Sequence, residues 1–181
     1  SWKSKSSSLK SNDVAKLLSK SKSELAPLIN DLMSKGLFDN SYTYVAKEGQ
    51  TEMFIRKNGK SSGGFFNVIT DNSVFLNPET DVDLGYMFLH EQIHRISVIE
   101  MLENDNYRAA IVSIFDEISN TSDKNMFGGS IMREYGMTNE YEMIAEAFSN
   151  RKFQQLLLNF KVSPELKARL NSLGYGSESN L

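Results

Sequence analysis

The order of segments along this chain predicts an α+β fold, on three observations. Residues 42–77 are β-rich, two turn signals fall inside that stretch, and from about residue 81 onward the apolar spacing is helical. Sheet first and helices afterwards suits an α+β layer rather than alternating βαβ units. The expected sheet is small and mostly antiparallel, with three or four strands, and no internal repeat is visible.

Taken in order, SWKSKSSSLK (1–10) is rich in Ser and Lys and reads as a flexible arm. A single domain is expected over 11–175, with a flexible tail at 176–181. Within it, 11–36 are helical, 42–77 form the sheet and 83–172 the larger helical part. Residues 13–19 and 23–35 spell two short helices, the second with Ser23 as N-cap, Pro27 near the first turn and Gly36 at the stop. YTYVAKE (42–48), TEMFIRK (51–57), FFNVIT (65–70) and SVFLN (73–77) read as strands, with turns at Asn58-Gly59 and Asp71-Asn72; Pro78 ends the run. Asp81 or Asp83 caps a helix running to about Leu102, and 106–119 form the next. After a polar loop at 120–130, a helix runs from Asn139 to about Leu158 and Ser163-Pro164-Glu165 opens a last short one.

Composition narrows the function classes. The 181 residues are 40% hydrophobic and 24% charged, with a formal charge of −3 and a pI near 5.5. That balance offers no electrostatic reason to expect nucleic acid. No apolar run approaches the roughly 18–20 residues of a membrane span, and no signal-peptide pattern is present. The chain starts at Ser1 without a methionine, which suits a processed protein or part of a larger polypeptide. It has no cysteine and two histidines. Its only strong metal ligands are therefore His, Asp and Glu.

Both histidines fall in GYMFLHEQIHRIS (85–97), as His90-Glu91-Gln92-Ile93-His94. Helical positions four apart share a face, so the two imidazoles can reach one ion. Glu91 points beside that face, where its carboxylate can address a metal-bound water without binding the metal. Leu89, Ile93, Ile96 and Ile99 form an apolar stripe that explains the helix as a core element, but not the histidines. For two histidines placed at random in this chain, an i,i+4 spacing has odds of about one in ninety.

A catalytic zinc usually takes three protein ligands. With no further His or Cys, the third is a carboxylate. The segment NEYEMIAEAFSN (139–150) offers Glu142 and Glu146, four apart on one face. Other readings stand beside this one. Asn139 and Glu142 approximate a capping box, and Glu146 fits a plain surface position.

These two blocks, HEQIH and EYGMTNEYEMIAEAF (134–148), resemble the catalytic domain of anthrax-toxin lethal factor and its relatives, which include Pro-Pro endopeptidases. Those zinc peptidases share HExxH, a Tyr-Gly element and a Glu-x-x-Ala-Glu-[Ala/Ser]-Phe helix. The resemblance spans about residues 63–150. It implies that His90, His94 and Glu142 hold one zinc ion, with Glu91 as general base. It also implies that Tyr135 faces the active site and stabilises the oxyanion, and that Glu146 orients a ligating histidine. The strand GFFNVIT precedes the helix where such peptidases keep an exposed edge strand. Gly64, Phe65 and Phe66 are therefore candidate substrate contacts, although phenylalanines such as Phe65 and Phe66 more often belong to the core than to a subsite.

The chain departs from these relatives at Ile93, where they often carry Gly or Ala. Its only tryptophan is Trp2, so Pro-Pro specificity does not transfer, and neither do the kinase substrates of lethal factor. The expectation is a zinc-dependent endopeptidase acting on an extended protein segment, in a secreted or delivered effector, toxin or phage protein. The alternatives are a catalytically silent zinc-binding or interaction domain of the same fold, and a helical interaction module with an incidental motif.

Overall fold

The computed structural model describes residues 6–55, 62–67, 72–121, 131 and 134–176. The chain divides into two compact units, Ser1–Ile96 and Ser97–Leu181, the boundary falling within one continuous helix, Leu84–Glu103.

The first unit holds strand β1 (Ser6–Lys10), helices α1 (Ser11–Leu18) and α2 (Ala26–Ser34), strand β2 (Tyr42–Ala46), and a 3₁₀ turn at Glu52–Phe54. Strands β3 (Gly64–Asn67) and β4 (Ser73–Leu76) and the first part of helix α3 (Leu84–Glu103) complete it. The α+β class is as expected, but the sheet is mixed rather than mostly antiparallel. Its order is β1-β2-β4-β3. β2 runs parallel to β4, with Tyr42 opposite Ser73, while β1 and β3 are antiparallel to their neighbours.

Two local events account for that difference. Residues 52–54, expected as part of a strand, close a 3₁₀ turn that drives Phe54 into the core at 2% exposure. β2 therefore does not fold back on the segment that follows it. It lies between β4 and β1, the latter drawn from residues expected to be a flexible arm. β1 has only Ser6 buried and its other four residues exposed. Main-chain bonds to β2, not apolar side chains, hold it, and Ser/Lys composition suits an exposed sheet edge. Residues 1–5 of the expected arm lie outside the described residues, as do Asn58-Gly59, 68–71, 122–130 and the end of the tail, 177–181.

The core of the sheet is an aromatic stack. Phe75 lies between Tyr44 (4.9 Å) and Phe65 (4.7 Å), and Phe54 tilts against Phe65. On the helical side Phe38 meets Phe88 edge-on at 5.1 Å. Helix α2 starts later than expected, after Leu25. Ser23 accepts the Leu25 N–H and donates to Asp83 Oδ1 instead of capping directly. Gly36 closes α2 at φ +76°, and Asn72 takes φ +55° before β4. Both conformations suit residues that tolerate the left-handed region.

Helix α3 begins where its cap predicts, because Asp83 Oδ1 accepts the Tyr86 N–H at 2.8 Å. Its middle is buried on more than one face. Leu89 and Ile93 of the apolar stripe are core residues, and so are Phe88, Gln92 and Arg95.

The second unit contains α4 (Asp105–Thr121), a 3₁₀ turn at Tyr135–Met137, α5 (Glu140–Ser149), α6 (Arg151–Leu158) and α7 (Pro164–Ser172). Ile118, Ile131, Met137, Met143 and Phe153 form its core. The helix expected over 139–158 breaks at Asn150, whose backbone is extended and whose side chain caps α6 at the Phe153 N–H. Ser163 caps α7 through the Leu166 N–H, and the Glu117 carboxylate accepts both the Ser163 N–H and hydroxyl, tying α7 to α4. Among the described residues no helix is long and apolar enough to cross a membrane.

Candidate metal centre

One helical turn of α3 separates His90 from His94, and their Nε2 atoms lie 3.1 Å apart. Two ring nitrogens at that distance share either a proton or a cation, since two bare lone pairs would repel. Tetrahedral binding with Zn–N bonds of 2.0–2.1 Å puts two ligating nitrogens about 3.3–3.4 Å apart, so the observed separation suits a common ion. His90 is buried and His94 half-buried. The Tyr86 ring sits one turn upstream, 5.5 Å from that of His90.

Glu91 is 8% exposed and lies against the backbone of β3. A Cβ built on Gly64 would stand 2.9 Å from Glu91 Cγ, 2.9 Å from the Phe75 carbonyl oxygen and 3.2 Å from Glu91 Oε1. Glycine at 64 is thus what lets the strand approach the carboxylate. Gly64→Ala is expected to cost about 1–3 kcal/mol of stability by overpacking and to displace Glu91. Denaturant unfolding reads the first effect. Unchanged stability would mean that strand and carboxylate are not in contact in solution.

Along β3, alternate side chains face opposite ways. Phe65 is engaged in the aromatic stack with Phe75 and Phe54. Its ring packs into the core, whereas Gly64 and half-buried Phe66 share the face that meets Glu91. β3 ends the sheet order, pairing among the described residues only with β4, so an edge strand does precede the histidine helix.

In the second unit the Tyr135 hydroxyl donates to Glu142 Oε1 at 2.9 Å. Asn139 Oδ1 accepts the Glu142 N–H at 2.9 Å. That cap uses the main chain of Glu142, and its carboxylate meets Tyr135, so the capping and ligand roles do not compete. Glu146 is not a surface residue: it is 1% exposed, and Asn150 Nδ2 donates to its Oε2 at 2.6 Å. Gly136 sits with no room for a side chain, because a Cβ would come within 2.6 Å of the Phe153 ring and 3.0 Å of Glu146 Cβ. This explains why glycine follows Tyr135. Sequence reasoning missed Asn150, although a cap-type residue directly after a helical run was its signal.

His90, His94 and Glu142 each offer a ligand atom, all within 4.8 Å of one another, and this group could hold a metal ion. Two imidazoles and a carboxylate, with no thiolate, form a donor set that suits zinc among several divalent ions. The chain matches no protein-family model, no curated protein and no solved structure.

Proposed function

We propose that this chain is a zinc-dependent endopeptidase, of the kind the lethal-factor resemblance implies, that hydrolyses a peptide bond in an extended protein segment. The observation that carries the reading is the convergence of His90, His94 and Glu142 donors within 4.8 Å. Zinc held at these residues would supply a Lewis acid that polarises a carbonyl and lowers the pKa of water towards about 7.

The chain's own groups supply the rest. Glu91 takes a proton from the attacking water and delivers it to the leaving amine nitrogen as the C–N bond breaks. Its burial against Gly64 holds the carboxylate in one place. Tyr135 carries a hydroxyl donor beside Glu142, the type of group that stabilises negative charge developing on a carbonyl oxygen. Glu146 is a buried carboxylate that accepts from Asn150, and the resemblance implies that it orients a ligating histidine. The edge of β3 offers main-chain groups to an extended segment, with Gly64 and Phe66 on the Glu91 side.

Tyr135→Phe is expected to lower kcat by about 10²–10³-fold, the usual loss for an oxyanion donor, and to depress zinc affinity by less, at most the roughly 10–100-fold that losing an outer partner of Glu142 costs. Equal loss of both would make the tyrosine structural. The reading as a whole is tested by incubating the zinc-loaded protein with a diverse peptide pool and sequencing the products by mass spectrometry. Defined cleavage sites are expected. Zinc binding without any cleavage would instead point to a zinc-holding interaction domain of the same fold.

A further inference from the structure

Between its two histidines and just after them, α3 carries Gln92 and Arg95, for which the proposed chemistry has no use. Both are buried, at 0% and 5% exposure. At 3.6 residues per turn, Gln92 projects about 180° away from the mean direction of His90 and His94. It lies directly behind the metal-facing side.

A continuous polar network fills that side. Gln92 Nε2 donates to Ser11 Oγ (3.0 Å) and Ser41 Oγ (3.3 Å), and its Oε1 accepts from Arg95 Nε at 2.8 Å. The hydroxyls of Ser11 and Ser41 are 2.6 Å apart, and that of Thr43 is 2.9 Å from Ser11. Arg95 donates from Nη1 to Asn72 Oδ1 at 3.1 Å and from Nη2 to the Leu37 carbonyl at 2.5 Å. The middle of α3 is thereby bonded to the start of α1, the loop after α2, strand β2 and the turn that leads into β4.

Apolar packing alone would hold this helix, yet it tolerates small slides and rotations. A fully bonded buried network does not, because each displaced donor or acceptor loses its partner in a low dielectric. The site has little tolerance to spare. Glu91 Cγ already lies where a Gly64 Cβ would meet it at 2.9 Å, and catalytic groups generally need placement within about 0.5 Å.

We propose that Gln92 and Arg95 are positioning residues: their network sets the rotation and axial position of α3, and so aims His90, His94 and Glu91 relative to strand β3. The inference rests on the zinc reading above. Its test is the affinity of the full chain for Zn²⁺, measured by competition with a chromogenic chelator. Histidine ring ¹H–¹⁵N spectra are recorded alongside, with and without zinc.

Gln92→Met keeps side-chain length and removes every hydrogen bond. It is expected to weaken zinc binding by about tenfold or more, the scale seen for groups that orient ligands, and to change the ring-nitrogen spectra. Gln92→Glu, which retains the acceptor for Arg95, is expected to restore much of that loss. Asn72→Gly keeps the φ +55° backbone accessible and deletes only the contact to Arg95, so it reports even if Gln92→Met fails to fold. Weaker zinc binding or altered ring spectra in folded Asn72→Gly would support the proposal. Wild-type zinc affinity and ring spectra in folded Gln92→Met, or in Asn72→Gly where Gln92→Met does not fold, would overturn it while leaving the zinc reading intact. Failure of the wild-type chain to bind Zn²⁺ would instead remove both.

Discussion

Glu91→Gln is expected to lower peptide hydrolysis by about 10²–10⁴-fold, the range for removal of a positioned general base, and to leave zinc bound. The substitution is nearly isosteric, which matters because Glu91 is buried and its Cγ packs closely against Gly64. The amide cannot accept the proton that must leave water. Folding should survive, since a neutral amide is easier to bury than a carboxylate. Steady-state kinetics and zinc content, measured on the same preparation, separate the two effects. A variant that retains most of its turnover would mean that another group moves the proton.

Glu142→Ala carries the second large effect, on metal binding. It removes one of the three proposed donors and the negative charge among them. Its loss in affinity should exceed the roughly 10–100-fold that outer partners of a metal site cost. The helix itself should persist, because the Asn139 cap is made to the main-chain N–H of residue 142, which alanine keeps. Calorimetry gives a clear reading. If zinc binds as proposed, a hundred times its Kd is expected to stabilise the wild-type protein by about 2.7 kcal/mol, on the order of 5–10 °C in Tm for a chain of this size. The variant should melt near the zinc-free wild type and gain little from added zinc. A full zinc-induced shift in the variant would exclude Glu142 as a ligand.

Where the chain was legible, the determinants are close in sequence. The Asp83 cap lies three residues from the N–H it accepts, and the Asn139 and Ser163 caps work over the same distance. The His90–His94 spacing needs only the pitch of one helix. The burial of Glu146 was harder to read, because it and the Asn150 partner depend on how the chain breaks after α5. Strand β1 was hidden because main-chain pairing, not side-chain pattern, holds Ser6–Lys10 in the sheet. The parallel pairing of β2 with β4 was hidden because a short 3₁₀ turn at 52–54 replaced an apparent strand. The network behind α3 joins residues as far apart as Ser11 and Gln92, 81 positions. No local pattern announces a partnership over that separation; a Gln and an Arg inside a helical motif look like surface residues until their partners are known.

The most direct test of the central claim is the zinc content of the wild-type chain after loading with Zn²⁺ and gel filtration. One equivalent per chain is the predicted result, falling away in Glu142→Ala. Less than about a tenth of an equivalent in wild-type protein would contradict a three-donor zinc site.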